Sequence, residues 1–302
     1  MQEIIIRAGC FIAIIVLGYV LRRIGFFQDQ DFKVLSKITL KITLPAAIIT
    51  SFADKVIDPA LLSIALLGLI GGLVYMGLGY LLYLHRDREE QAFAILNISG
   101  YNIGNFTLPF VQSFLGPMGV ITTGLFDIGN SFVCLGGAYG VASIVKSKER
   151  FSILKIFKAL VHSVAFDCYI LMIILNLTHI AIPGPIVSLA EIIGNANAFV
   201  AMLMLGVGFR LAGDWQQMGK ILKIISVRYG IALLFALLFF FLLPFPLEVR
   251  QALAVLAFGP IASAVPAFTE EMKSDVGLSS AINSISIVCS ILCIVIILLL
   301  VL

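Results

Sequence analysis

The stretch Asn97-Ile98-Ser99-Gly100-Tyr101-Asn102-Ile103-Gly104-Asn105-Phe106-Thr107-Leu108-Pro109 decides how the chain is read, because it interrupts a segment that is otherwise apolar. A helix facing lipid needs ~20 predominantly apolar residues. Here three Asn, two aliphatic hydroxyls, two Gly and a Pro fall where the middle of such a helix should be. Irregular backbone survives at bilayer depth only inside protein or along a cavity, where neighbours satisfy the freed N–H and C=O groups. Secondary transporters build their discontinuous helices in this way.

The remainder of the chain supplies the bilayer context. Its 302 residues are 61% hydrophobic and 12% charged, with a mean hydropathy of +1.10, against about 25% charged for a soluble domain. This composition predicts an integral membrane protein. The first apolar run, Ile4 to Ile24, is long enough to span and lacks a small-residue cleavage site, so it reads as a first helix rather than a leader. A net charge of +3 reports topology here, and no nucleic-acid partner is expected. Cys10, Cys134, Cys168, Cys289 and Cys293 sit in apolar runs without a CxxC pair, which predicts packing residues and neither a disulfide framework nor a metal site. The sequons at Asn97, Asn105 and Asn176 lie in or beside apolar segments and read as chance matches. No HExxH, GxSxG or phosphate-binding Gly loop occurs, so neither an enzyme, nor an ATP-driven pump, nor a cofactor is expected.

Apolar windows predict ten spans, at roughly 4-26, 34-53, 60-84, 91-114, 117-144, 158-180, 186-211, 221-244, 248-271 and 277-302. Basic residues crowd the odd-numbered connections: Arg22, Arg23, Lys33 and Lys37; Arg86 and Arg88; Lys146, Lys148, Arg150, Lys155 and Lys158; Arg210, Lys220 and Lys223; and Lys273. The opposite face has only Lys55 and Arg250. The asymmetry predicts that the odd connections are cytoplasmic and that both termini face the non-cytoplasmic side of a cell (inner) membrane.

The basic link from Lys146 to Lys158 lies near the midpoint, and its 151–158 run could lie flat as an amphipathic helix. Five spans on either side of a cytoplasmic link give the two halves opposite orientation, the arithmetic of an inverted repeat. Residues 1-148 form the first repeat and 152-302 the second. Span four breaks near Gly104, and span nine breaks near Ser263, with Gly259-Pro260 and Pro266 around it. The two breaks stand about half the chain apart, and paired interruptions of this kind point to a transporter's binding site.

If spans four and nine cross near the midplane, their half-helix N-termini present N–H groups and positive dipole ends to the gap, which favours an anion. Asn102, Asn105 and Thr107 would supply donors and acceptors from one side and Ser263, between Pro260 and Pro266, from the other. Interhelical glue is the competing reading of these Asn. Asp127 lies mid-span with Asn130 three residues on and Cys134 seven on, on one helical face. A carboxylate at that depth must face the protein interior. It is a candidate proton carrier, or with Asn130 a cation ligand, and the alternative is a carboxylate neutralised by Lys41 or Arg228. Asp167 is a second intramembrane acid near a span end. Glu191 precedes the polar run Gly194-Asn195-Ala196-Asn197, at about the depth of Thr43-Leu44-Pro45. The glycines from Gly68 to Gly79 and from Gly136 to Gly140 read as close helix packing.

Several of these places, in order, resemble the auxin efflux carrier family, which includes plant exporters and bacterial carboxylate carriers. They are Leu17-Gly18-Tyr19-Val20-Leu21-Arg22-Arg23-Ile24-Gly25-Phe26, Leu35-Ser36-Lys37, Leu44-Pro45-Ala46, Asn102-Ile103-Gly104-Asn105 with Leu108-Pro109, Gly206-Val207-Gly208, Gly259-Pro260 through Pro266-Ala267, and Asp275 through Ser280. The resemblance covers nearly the whole chain, and the short central link is similar to that of bacterial members. It implies an all-α membrane protein of ten transmembrane helices in two inverted five-helix repeats, with discontinuous helices 4 and 9 crossed. It further implies a scaffold of helices 1, 2, 6 and 7, a transport domain of helices 3–5 and 8–10, elevator-type movement and a homodimer. The expected function is secondary transport of a small organic anion, such as a mono- or dicarboxylate, with H⁺ or Na⁺ as candidate coupling ions. An uncoupled permease and a non-transporting sensor are the alternatives. The expected substrate site comprises Asn102, Gly104, Asn105, Thr107, Pro109, Pro45, Pro260, Ser263 and Pro266, and the expected coupling site Asp127 and Asn130.

Overall fold

The computed structural model describes residues 2–28, 30–53, 55–147, 152–209 and 217–302. The link residues 148–151 and residues 210–216, which hold Lys148, Arg150 and Arg210, lie outside the described residues.

Helices α1 (Gln2–Arg23), α2 (Asp31–Ile38), α3 (Leu44–Ala53), α4 (Ile64–Leu82), α5 (Arg88–Ile98), α6 (Leu108–Phe132) and α7 (Ala138–Ser147) precede the link. After it come α8 (Ile153–Leu160), α9 (Val164–Leu177), α10 (Gly184–Asn195), α11 (Asn197–Gly208), α12 (Met218–Phe241), α13 (Leu247–Ala257), α14 (Val265–Glu271) and α15 (Val276–Val301). There is no strand among the described residues. The protein is a multi-pass, all-helical membrane protein. Among the described residues, six helical runs are long and apolar enough to cross a bilayer, or seven if the α8–α9 pair, bent by 73°, counts as one span.

Six or seven is fewer than the ten expected segments, and the breaks account for the difference. One continuous run, Arg88–Ser147, takes in both the fourth and fifth expected spans. Within it the chain turns at Gly116, whose φ of +62° before Pro117 only glycine adopts freely. The second expected span is divided into α2 and α3 by a π-helical turn at Thr39–Thr43, just ahead of Pro45. The wide turn accommodates the hydrogen bond that a proline nitrogen cannot make. The ninth is divided into α13 and α14. The amphipathic segment after the link is α8, with Ile153, Leu154 and Phe157 on its surface.

Glycines set the closest helix contacts. α1 packs on α11 where Gly18 and Gly206 face each other's helix, and a Cβ at Gly206 would stand 2.0 Å from the Ile15 carbonyl oxygen. α4 packs on α6 through Gly68 and Gly129, where a Cβ would stand 2.0 Å from Phe126 O and 1.8 Å from Ala65 O. α3 packs on α9 and α10, α5 on α4 and α7, and α13 on α6 and α12. Large apolar side chains such as Val16, Leu66, Leu171, Ile192, Leu234 and Leu300 are exposed on the outer faces, as a surface facing lipid requires.

Candidate functional site

The first break follows from its own residues. α5 starts well, with Asp87 accepting from Glu90 N at 2.8 Å, and ends at Ile98. Ser99 is extended and Gly100 takes a φ of +72°, where a Cβ would collide with Cys134 Sγ at 2.7 Å. The helix resumes as a π-helical turn, Ile103–Thr107, that leads into α6. Thr107 closes this turn, its N–H and its hydroxyl both donating to Asn102 O at 3.2 Å.

The second break runs between α13 and α14, and the two breaks touch: Asn102 N–H donates to Pro260 O at 2.8 Å. Each break is held from a neighbouring helix. Asn130 on α6 accepts from Tyr101 N–H and donates to Tyr101 O. On α15, Asn283 donates to Ile261 O at 3.1 Å and Ala262 O at 3.2 Å, Ser286 Oγ accepts from Ile261 N–H, and Ser290 donates to Phe258 O. Arg228 of α12, 1% exposed, reaches both breaks at once, donating to Ile98 O, Gly100 O, Gly259 O and Pro260 O. Below this crossing Asn97 of α5, Thr269 of α14 and Ser279 of α15 share a buried hydrogen-bond network.

A cavity of about 270 Å³ opens at the crossing. Asn102, Ser263, Asn283 and Ser280 form its polar side, and Phe32, Met204, Leu205, Val207 and Pro266 its apolar side, with the exposed Glu270 at the rim. Asn105 donates to Ser263 Oγ at 3.3 Å. Asn102 Nδ2 and Asn105 Oδ1, both buried, have no hydrogen-bond partner among the described residues. Buried polar groups are normally paired, so a donor and an acceptor stand ready at this place. The cavity holds neutral amides and hydroxyls beside apolar wall, the usual make-up of a small-molecule site.

Of the expected substrate residues, Asn102, Ser263 and Pro266 line the cavity, Asn105 bonds to its wall, and Pro260 contributes a carbonyl to the crossing. Thr107 faces Gly259 behind the wall, and Pro109 is buried in the first turn of α6. Gly104 packs on Leu44, and the Pro45 carbonyl accepts from Cys168 Sγ at 3.6 Å. Pro45's helix is tied to this region by a polar chain from Thr43 to Asn197 to Gln112. Asp127 and Asn130 lie behind the first break, joined at 2.9 Å, outside the cavity wall. Asp167 and Glu191 are both exposed.

Neither proposed counter-ion pairs with Asp127. Lys41 is exposed, Arg228 is spent on carbonyls, and Asp127 has no ion pair among the described residues. The role of Arg228 and the clamp from α15 were not foreseen. Two signals pointed to them: a lone arginine in a 24-residue apolar helix, and polar residues at 279, 283, 286 and 290, which share one face of α15.

No curated protein matches the chain. The sequence profile described as membrane transport protein matches residues 10–164, a span that takes in the first break, its clamp and the central link. The chain belongs to this family, that of the auxin efflux carriers, and is a membrane transporter.

Proposed function

We propose that the protein is a secondary active transporter of a small organic anion, a mono- or dicarboxylate, working by elevator-type alternating access. The observation that carries this reading is the cavity at the crossing, where the unpaired amide donor of Asn102 stands beside Ser263 and Asn283. Helical segments begin on both sides of it, at Ile103 and at Val265, so their positive ends favour an anion. The opposite, carbonyl ends of α5 and α13 are covered by Arg228 and add no net repulsion.

The ten-span, five-plus-five arrangement is part of the proposal. Spans are α1, α2–α3, α4, α5 with the start of α6, and the remainder of α6 with α7; then α8–α9, α10–α11, α12, α13–α14 and α15. The two breaks support it by recurring at equivalent places, Tyr101 and Pro260, about 159 residues apart. Each is clamped by the helix that follows it. α1, α2–α3, α8–α9 and α10–α11 form the scaffold, and the remaining helices carry the cavity across the membrane. With the basic connections inside, the rim at Glu270 and Val276 opens to the cytoplasm of a cell membrane.

Uptake into proteoliposomes tests this. A panel of labelled mono- and dicarboxylates, with and without pH or sodium gradients, should give saturable uptake of at least one member, with its KM raised about tenfold in Asn102→Ala. Non-saturating conductance would make the protein a channel, and binding without flux would make it a sensor.

A further inference from the structure

We propose that Arg228 is a built-in cation, whose guanidinium fills the place between the carbonyl ends of the two broken helices that a mobile coupling cation would otherwise take. The crossing is thereby held without sodium. The inference deepens the transport reading, and only its uptake arm rests on that reading.

Secondary transporters hold Na⁺ with unwound backbone carbonyls and the C-terminal ends of half-helices. Here α5 and α13 both stop short with those ends converging, and the oxygens of Ile98, Gly100, Gly259 and Pro260 all point at one guanidinium, the last three at 2.7, 2.9 and 3.2 Å. Each helix end carries roughly −0.5 of an elementary charge, so two together come to about −1, which a single fixed positive charge balances. Arg228 has no carboxylate partner among the described residues, so the carbonyls are its counter-charge. Tyr75 and Tyr101 stack over it at 4.7 and 5.2 Å and exclude water. A guanidinium does not deprotonate in proteins. A sodium ion in the same carbonyl set would have to displace a charge that is tethered to α12, and like charges at such range repel strongly. α12 packs on α5, α13 and α15, so the cation travels with the crossing and is not released in each cycle. This removes the carbonyl crossing as a sodium site and, of the two candidate coupling ions, favours the proton.

The test uses the full-length protein in detergent, compared in matched sodium chloride and choline chloride, with melting temperature as a substrate-free readout. Wild type should melt identically in both salts. Arg228→Ala should melt several degrees lower and be restored by millimolar guanidinium chloride, which can refill the carbonyl cluster. Arg228→Lys keeps the charge and should lie between the two, and it decides the matter if Arg228→Ala does not fold. In proteoliposomes, uptake of a carboxylate found active in the panel should be unchanged when choline replaces sodium. Specific stabilisation of wild type or Arg228→Lys by sodium, sodium-stimulated uptake, or an Arg228→Ala that folds but ignores guanidinium would each overturn the proposal. An uptake panel with no active member would defeat the transport reading and leave the melting series to stand or fall alone.

Discussion

Asn130 holds both backbone groups of Tyr101, accepting from its N–H at 3.0 Å and donating to its carbonyl at 2.9 Å, while the same amide donates to Asp127 Oδ1 at 2.9 Å. One side chain thus replaces the two helical hydrogen bonds that the break removes. Asn130→Ala leaves the buried Tyr101 N–H without a partner and its carbonyl with only the weak Cys134 thiol donor, at a cost of about 2–3 kcal/mol. Thermal melting should fall by about 5–10 °C. Ser131→Ala, which loses a bond to the Asp127 carbonyl from a half-buried position, is the control and should change melting far less.

Asn102 and Thr107 sit five residues apart in one turn and should fail differently. The amide nitrogen of Asn102 has no partner among the described residues, so Asn102→Ala removes no hydrogen bond that this nitrogen makes within the protein. Its melting should match wild type, while, if the cargo is the proposed carboxylate, its KM rises about tenfold or more, the worth of one charge-assisted bond. Thr107→Val loses the hydroxyl bond to Asn102 O and should lower melting before it alters KM. Kinetics and melting on the two variants separate ligand contact from local scaffolding.

The sequence made the first break legible because polar residues at bilayer depth have few explanations, and the second because Gly259, Pro260 and Pro266 cannot continue a helix. The glycine contacts of α4 were equally open to reading, since small residues let helices approach. Arg228 was visible as a charge, but its partners were sought among acids. Every residue owns a carbonyl, so a cluster of four leaves no mark in the sequence. The α15 clamp was hidden for a related reason. Serine in an apolar helix can satisfy itself on the preceding turn, as Ser99 and Ser51 do here, and only the fold shows that Ser290 reaches Phe258 O instead.

Gly206 fixes the approach of α1 to α11. An added methyl would meet the Ile15 carbonyl oxygen at 2.0 Å and Tyr19 N at 2.9 Å, both rigid backbone, so Gly206→Ala must push the helices apart. Overpacking of this kind costs about 1–3 kcal/mol. A lower melting temperature is expected, with the KM of any protein that remains folded unchanged. Gly77 has nothing within 4 Å of its Cβ position, so Gly77→Ala in α4 should be neutral or stabilise by up to about 1 kcal/mol.

Asp127, the candidate coupling acid, is partly buried on α6, bonded to Asn130 and without an ion-pair partner among the described residues. Asp127→Asn keeps the shape and an acceptor for Asn130 but can neither take up nor release a proton at neutral pH. If Asp127 couples transport, substrate counterflow between loaded and empty sides should persist in the variant within a few-fold of wild type, because exchange needs no net proton movement. Accumulation driven by an inward pH gradient should vanish. Measuring both in the same proteoliposomes distinguishes a lost coupling ion from a damaged cavity, in which counterflow would fall as well. A variant that accumulates substrate as wild type does would assign Asp127 a structural part only, as a brace for Asn130 and, through it, for the turn at Tyr101.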